Sequence, residues 1–214
     1  ENILQMCNIN IIQHGIKFDD KPILYIVNHS SYLDSIIIKY LLPNVFTIAK
    51  LSSVREFRSN IIKNILHNIL DTWNIIYYKR GCKKSGKKVR TKIVKYLKNG
   101  KQILLYPEGK STPNMGPQTF YPGSFETSFE NNLLIQPITI KYETDINWGI
   151  PNQYCKEHNI NILSNINECQ KKINNVNVIF HKLVYPKNFK DHLQLKKYCE
   201  IVITNEWIKK HNYK

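Results

Sequence analysis

A histidine and an aspartate five residues apart are the first candidates for chemistry in this sequence. His29 follows a short apolar run and opens the stretch 29–34, which reads HSSYLD. If Asp34 lies one turn inside a helix that His29 precedes, its carboxylate can reach one imidazole nitrogen and leave the other as a general base. The spacing also fits an ordinary helix start, capped by Ser30 or Ser31, with Asp34 favourable in the first turn.

Two further segments carry polar groups directly after apolar runs. Residues 106–112 read YPEGKST, which places Glu108 at a strand end and Gly109 where a ligand could approach the backbone closely. Arg80 follows a β-branched and aromatic run, and a guanidinium suits bidentate phosphate binding. The alternatives are an ordinary turn and a solvated surface charge.

The surrounding elements alternate between strand and helix patterns. Apolar runs predict strands at 23–27, 45–49, 74–78, 102–106, 133–140 and 176–184, and helical spacing or stop signals predict helices at 32–42, 57–69, 89–97 and 192–210. This order favours an α/β fold: a single domain over 1–214, with a mixed, largely parallel sheet flanked by helices. Since strand ends collect at one edge of such a sheet, His29, Arg80 and Glu108 are expected there.

Composition limits the class of protein and suggests its partners. The 214 residues are 42% hydrophobic and 22% charged, which excludes a wholly disordered, collagen-like or simple coiled-coil chain. A net charge of +15 calls for an anionic partner: nucleic acid, a membrane surface or phosphorylated small molecules. Five scattered cysteines without a Cys-x-x-Cys pair predict neither a disulfide framework nor a zinc site.

The three polar segments together resemble the glycerolipid acyltransferase superfamily, and within it the 1-acyl-sn-glycerol-3-phosphate acyltransferase (PlsC-like) branch. The resemblance rests on Asn-His-x-x-x-x-Asp at 28–34, a strand ending in Arg80, and Pro-Glu-Gly at 107–109. It extends through FTIAK at 46–50, FYPGSF at 120–125 and LIQPITI at 134–140. It therefore covers about 16–140, and 141–214 would complete the sheet and add a C-terminal helix.

This resemblance implies transfer of a fatty acyl group from acyl-CoA or acyl carrier protein to a lysophospholipid hydroxyl. The acceptor it implies first is 1-acyl-glycerol-3-phosphate, with phosphatidic acid as product. His29 would be the general base and Asp34 its orienting carboxylate. The implied substrate-binding residues are Arg80, Glu108, Gly109, Lys110 and Pro137, the last lining the acyl site. No metal or other cofactor is expected.

The sequence departs from the family pattern at four positions. Asn74 stands where the second block usually opens with glycine, and Tyr106 and Lys110 replace the usual phenylalanine and threonine of the third block. Ser111 stands at the position of an arginine thought to help bind the acceptor phosphate. The acceptor therefore stays open, with glycerol-3-phosphate and other lysophospholipids as alternatives for the same chemistry.

Three features of the sequence also fit other interpretations. The net charge and the thirteen tyrosines also fit a non-catalytic nucleic-acid-binding protein. The sequence has no nucleic-acid-binding motif, however, and we expect no nucleic-acid partner. Residues 81–88 resemble a nucleotide-binding loop but have Lys88 where a serine or threonine should ligate magnesium. The predicted helix within 55–70 could cover the sheet or lie among lipid headgroups.

For localisation we expect a peripheral protein on the cytoplasmic side of an anionic membrane. No apolar run reaches the roughly 18 to 20 residues of a spanning helix. The sequence leaves room for an anchor upstream of Glu1.

Overall fold

The computed structural model describes residues 2–18, 20–31, 33–50, 74–79, 81–112, 116–143 and 169–209. Seven strands lie in these ranges: β1 (Ile9–His14), β2 (Leu24–Val27), β3 (Phe46–Lys50), β4 (Ile75–Tyr78), β5 (Ile103–Leu105), β6 (Ile135–Tyr142) and β7 (Asn174–Phe180). The helices are α1 (Asn2–Met6), α2 (Leu33–Leu41), α3 (Lys83–Lys98), α4 (Gly123–Asn131) and α5 (His192–Ile208), with a 3₁₀ turn at Pro186–Asn188.

The described strands form one sheet in the order β1-β7-β6-β2-β5-β3-β4. Neighbouring strands are parallel, except for the antiparallel pair of β6 and β7. This confirms the predicted mixed, largely parallel sheet. Strand β2 lies at the centre between β5 and β6, so the segments that follow β2 and β5 leave the same edge of the sheet side by side.

Helices cover both faces of the sheet. Side chains of each central strand alternate between the two faces, and both sets are buried under helices. Tyr25 and Val27 pack with α2 on one face, whereas Leu24 and Ile26 pack with α3, α4 and α5 on the other. The helical side chains in these two cores include Leu33, Ile37, Val89, Ile93, Phe125, Leu195 and Ile203. The central strands are thus buried on both sides, as continuous apolar runs predict.

The sequence patterns identify β2 to β6 and helices α2 and α5 with small errors at their ends, whereas the helix predicted at 89–97 begins six residues earlier, at Lys83. The prediction for β7 runs too far, because the strand ends at Phe180 and Val184 forms only an isolated bridge to Ile135. The patterns miss β1, an edge strand in which exposed Asn10 and Gln13 interrupt the apolar residues. The helix predicted over 57–69 lies outside the described residues.

The lysine-rich segment 81–88 does not form a phosphate-binding loop. Helix α3 begins at Lys83, so Gly86 and Lys87 lie inside a helix, and the amide of Gly86 bonds to the carbonyl of Cys82. A nucleotide-binding loop needs its glycines before the helix, where free amides can surround phosphate. The structure therefore gives a geometric reason to reject that interpretation.

Within the described ranges, every helix falls short of the length and apolar character that crossing a bilayer requires. The segment 55–70, which the sequence predicts to cover the sheet or lie among lipid headgroups, is outside these ranges.

Candidate active site

His29 and Asp34 meet at the carboxyl edge of the sheet. His29 lies two residues beyond β2, and Asp34 is the second residue of α2. The imidazole Nδ1 lies 2.9 Å from Asp34 Oδ2, and because a carboxylate can only accept, Nδ1–H donates. The histidine side chain is 16% exposed and the aspartate is fully buried. This tautomer leaves Nε2 as the basic nitrogen.

The sequence left open whether Asp34 orients the histidine or only favours an ordinary helix start, and its contacts fit both interpretations. Oδ2 accepts the backbone N–H groups of Ser30 at 2.7 Å and Ser31 at 2.8 Å, in addition to the imidazole. Oδ1 accepts the phenol of Tyr142 at 2.6 Å. Four donors therefore hold this buried carboxylate, which compensates for its removal from water.

Glu108 fixes the backbone of His29. Oε1 accepts the His29 N–H at 2.8 Å, and Oε2 accepts the Gln118 N–H at 3.0 Å and the Thr112 hydroxyl at 3.4 Å. The Thr112 N–H in turn donates to the His29 carbonyl at 2.9 Å. Glu108 is 2% exposed, and the contact with substrate that the resemblance implies for it stays a prediction. Its carboxylate faces the protein.

The fully buried Asn28 ties the end of β2 to β6. Its amide nitrogen donates to the Ile140 carbonyl at 2.9 Å, and its oxygen accepts the Ile140 N–H at 2.8 Å. The side chain thus replaces a backbone partner just beyond Val27, the last residue of β2. This pair of bonds fixes the chain immediately before His29, which gives a structural reason for asparagine at this position.

Tyr106 forms one wall beside the imidazole. The two rings are stacked, with centroids 4.2 Å apart and an angle of 23° between their planes. The Tyr106 hydroxyl accepts a hydrogen bond from Ser35 at 3.3 Å. Burial and the charge of Asp34 raise the pKa of Tyr106 well above its usual range, so the phenol is neutral at physiological pH. A phenylalanine at this position, as in the family pattern, would retain the stacking only.

The remaining residues implied by the resemblance lie at different distances from this centre. Gly109 has φ of +65°, which explains the glycine after Glu108 in this turn, and the exposed Lys110 follows it. Pro137 is buried in mid-strand opposite Ile26, so its contact with an acyl chain stays a prediction. Arg80 lies outside the described residues.

Asn74 accounts for one departure from the family pattern. It precedes β4 and has φ of +32°, a backbone conformation that glycine adopts most readily and asparagine tolerates better than most residues. The substitution therefore preserves the turn at this point.

The sequence predictions do not include three residues in or next to the site. Tyr142 bonds to Asp34, Gln118 bonds to Glu108, and Trp207 packs beside Gly116. An added Cβ at Gly116, which has φ of +69°, would lie 2.9 Å from the Trp207 ring. The end of α5 therefore packs closely against the loop that supplies the Gln118 N–H to Glu108. These residues are far from His29 in sequence, and no short motif marks them.

Burial raises the pKa of Glu108 to about 7, although hydrogen bonds from His29 and Gln118 oppose the rise. An unfolded glutamate has a pKa near 4.5, so the folded chain binds this proton more tightly. The resulting contribution to the free energy of unfolding is complete below about pH 4.5 and is lost as the pH rises through about 7. The difference corresponds to about 3 kcal/mol.

Glutamine does not ionise, so Glu108→Gln should not lose this contribution as the pH rises. We therefore expect the free energy of unfolding of the variant, relative to that of the unsubstituted chain, to increase by about 3 kcal/mol from about pH 4.5 to pH 8. Urea unfolding across this range measures the difference. Glu130→Gln, at an exposed position of α4, is the control and should follow the unsubstituted chain. Parallel curves for Glu108→Gln and the unsubstituted chain would contradict the prediction.

Comparison with known sequences gives a family match and a curated relative. A family model described as acyltransferase matches residues 6–141. The lyso-ornithine lipid O-acyltransferase of Pseudomonas aeruginosa is 26% identical over 131 residues, which are 61% of this chain and 46% of that protein. The chain thus spans about half the length of this curated relative.

A solved structure has a similar fold. The crystal structure of the 1-acyl-sn-glycerophosphate acyltransferase PlsC from Thermotoga maritima matches with a TM-score of 0.60 and 20% sequence identity. The match covers 96% of this chain and 76% of that chain. The likeness therefore extends through β7 and α5, beyond the family match.

Proposed function

This chain belongs to the acyltransferase family, and from that premise we propose that it transfers a fatty acyl group from an acyl thioester to the hydroxyl of a lysolipid. The observation that carries the proposal is the 2.9 Å bond from the partly exposed imidazole of His29 to the buried Asp34. This arrangement suits deprotonation of an alcohol, because the buried carboxylate stabilises the imidazolium that results.

In the proposed mechanism, His29 Nε2 takes the proton of the acceptor hydroxyl as its oxygen attacks the thioester carbonyl. A carbon–oxygen bond forms, and the tetrahedral intermediate then loses the thiol by cleavage of its carbon–sulfur bond. The leaving sulfur receives the proton from Nε2, so the imidazole is regenerated. Asp34 keeps the hydrogen on Nδ1 throughout and needs no proton itself.

Two acceptors follow from different observations. 1-Acyl-glycerol-3-phosphate is favoured by the fold of PlsC and by Lys110, an exposed cation two residues beyond Glu108. A lyso-ornithine lipid is favoured by the curated relative and by Ser111, since this chain lacks the family's phosphate-binding arginine at that position. Lys110 would contact a headgroup phosphate as a point charge.

The donor is proposed to be acyl-CoA or acyl carrier protein, and the working surface an anionic membrane. The first half of α3 carries the exposed lysines Lys84, Lys87 and Lys88, which suit the phosphates of coenzyme A or anionic lipid headgroups. Each lysine or arginine near such a membrane contributes about 1 kcal/mol of attraction. The net charge of +15 therefore favours a peripheral position at the surface that holds the substrates.

An assay of thiol release with lipid analysis tests this function. Acyl-CoA or acyl carrier protein is supplied with vesicles containing 1-acyl-glycerol-3-phosphate, lyso-ornithine lipid or lysophosphatidylcholine, or with free glycerol-3-phosphate. We expect thiol release that depends on the acceptor, with one acylated lipid formed per thiol. Thiol release that no acceptor stimulates, with either donor, would contradict the proposed function.

A further inference from the structure

We propose that Tyr142 is a positioning residue, which holds the second oxygen of Asp34 and limits the charge that Asp34 presents to His29. The inference rests on the proposed function for its kinetic consequence, but the contact itself does not depend on any substrate. Tyr142 is the last residue of β6 and lies one residue beyond the family match.

The contact is short and leaves the carboxylate little freedom. The Tyr142 phenol donates to Oδ1 at 2.6 Å, whereas the imidazole and two backbone amides share Oδ2. Rotation of the Asp34 carboxylate would break the bond at Oδ1 as well as those at Oδ2. A hydrogen bond to an ionised acceptor is about twice as strong as one between neutral groups.

The sheet itself determines where Tyr142 lies. Strand β6 pairs with β2 through Val27 and Ile138, and the two bonds between Asn28 and Ile140 extend that alignment. Tyr142 follows Ile140 by two residues, so its side chain leaves the same face of the strand. A residue 108 positions away in sequence therefore reaches Asp34 because of strand register.

Three other described ionisable groups face the His29–Asp34 pair. Tyr106 comes from the end of β5, Glu108 from the following turn, and Tyr142 from β6. Burial and the charge of Asp34 raise the pKa of Tyr142 well above its usual range, so the phenol stays a neutral donor. By sharing its proton with Oδ1, Tyr142 lowers the negative charge that stabilises the imidazolium of His29.

Without this phenol, His29 would hold its proton more tightly and the carboxylate would be less fixed. For Tyr142→Phe we therefore expect kcat to fall by about tenfold, with KM within about twofold of the unsubstituted value. The acid limb of the kcat profile should move to higher pH. A residue with only a structural role would not shift that limb.

Tyr25→Phe is the matched control. Tyr25 is a fully buried tyrosine of β2 whose hydroxyl donates to the Phe18 carbonyl at 2.6 Å, so its variant loses a bond of the same length to an uncharged acceptor. Both variants should lose stability in urea, but only Tyr142→Phe should alter kcat and the acid limb. Equal acid limbs for Tyr142→Phe and the unsubstituted chain would overturn the proposal.

A second measurement separates this inference from the proposed function. NMR titration of the His29 ring protons in the protein without substrates requires no turnover. Tyr142→Phe should move the midpoint to higher pH and Tyr25→Phe should leave it in place; an unmoved midpoint in Tyr142→Phe overturns the inference. If the midpoint moves but no acceptor stimulates thiol release, the positioning role stands and the proposed function fails.

Discussion

Replacing His29 by alanine is expected to reduce acyl transfer by about a thousandfold or more while the chain remains folded. The substitution removes the base that takes the acceptor proton, a contribution of roughly 10² to 10⁴, and the imidazolium that returns it to the leaving thiol. The backbone at this position should stay in place, because Glu108 and Thr112 bind its N–H and carbonyl independently of the ring.

Thiol release at saturating acceptor measures this loss, and urea unfolding shows whether the variant is folded. The ring of His29 stacks on Tyr106 and is partly exposed, so its removal should cost only about 1 kcal/mol. His192→Ala, at the first residue of α5, is a matched control that should retain full activity. A folded His29→Ala protein with activity within about tenfold of the original would exclude His29 as the base.

The sequence permits prediction of the central strands because burial on both faces leaves a visible signal. A continuous apolar run at 23–27 marks β2, and a mainly apolar run at 133–140, interrupted by Gln136 and Thr139, marks β6. The pairing of these two strands brings distant residues together. The edge strand β1 lacks such a run, since exposed Asn10 and Gln13 interrupt its apolar residues. Its apolar residues alone do not distinguish it from a loop.

In the candidate site, contacts within one short segment are predictable from the sequence, whereas contacts between distant segments are not. The proximity of His29 and Asp34 depends on five residues at a helix start, so their spacing predicts it. The inward orientation of Glu108 depends on amides from two other segments, and the contact of Tyr142 depends on the register of β6. A sequence identifies these side chains but not the direction in which they point.

Asp34→Asn is expected to lower kcat by about 10³ to 10⁴ with little loss of stability, because it removes the charge but can preserve the hydrogen bonds. The amide oxygen can accept from His29, Ser30 and Ser31 as Oδ2 does now. The amide nitrogen would face Tyr142, whose hydroxyl can turn and accept in place of donating. The imidazolium formed during transfer would then lack its counter-charge.

Asp34→Ala separates this electrostatic effect from the structural one. Alanine leaves the Ser30 and Ser31 amides and the Tyr142 phenol without their acceptor, so a further loss of about 3 kcal/mol in the free energy of unfolding is expected. Both variants should lose activity to a similar extent, whereas only the alanine variant should unfold at clearly lower urea. If Asp34→Asn keeps activity within about tenfold, Asp34 serves only the start of α2, and its negative charge is not required for base catalysis by His29.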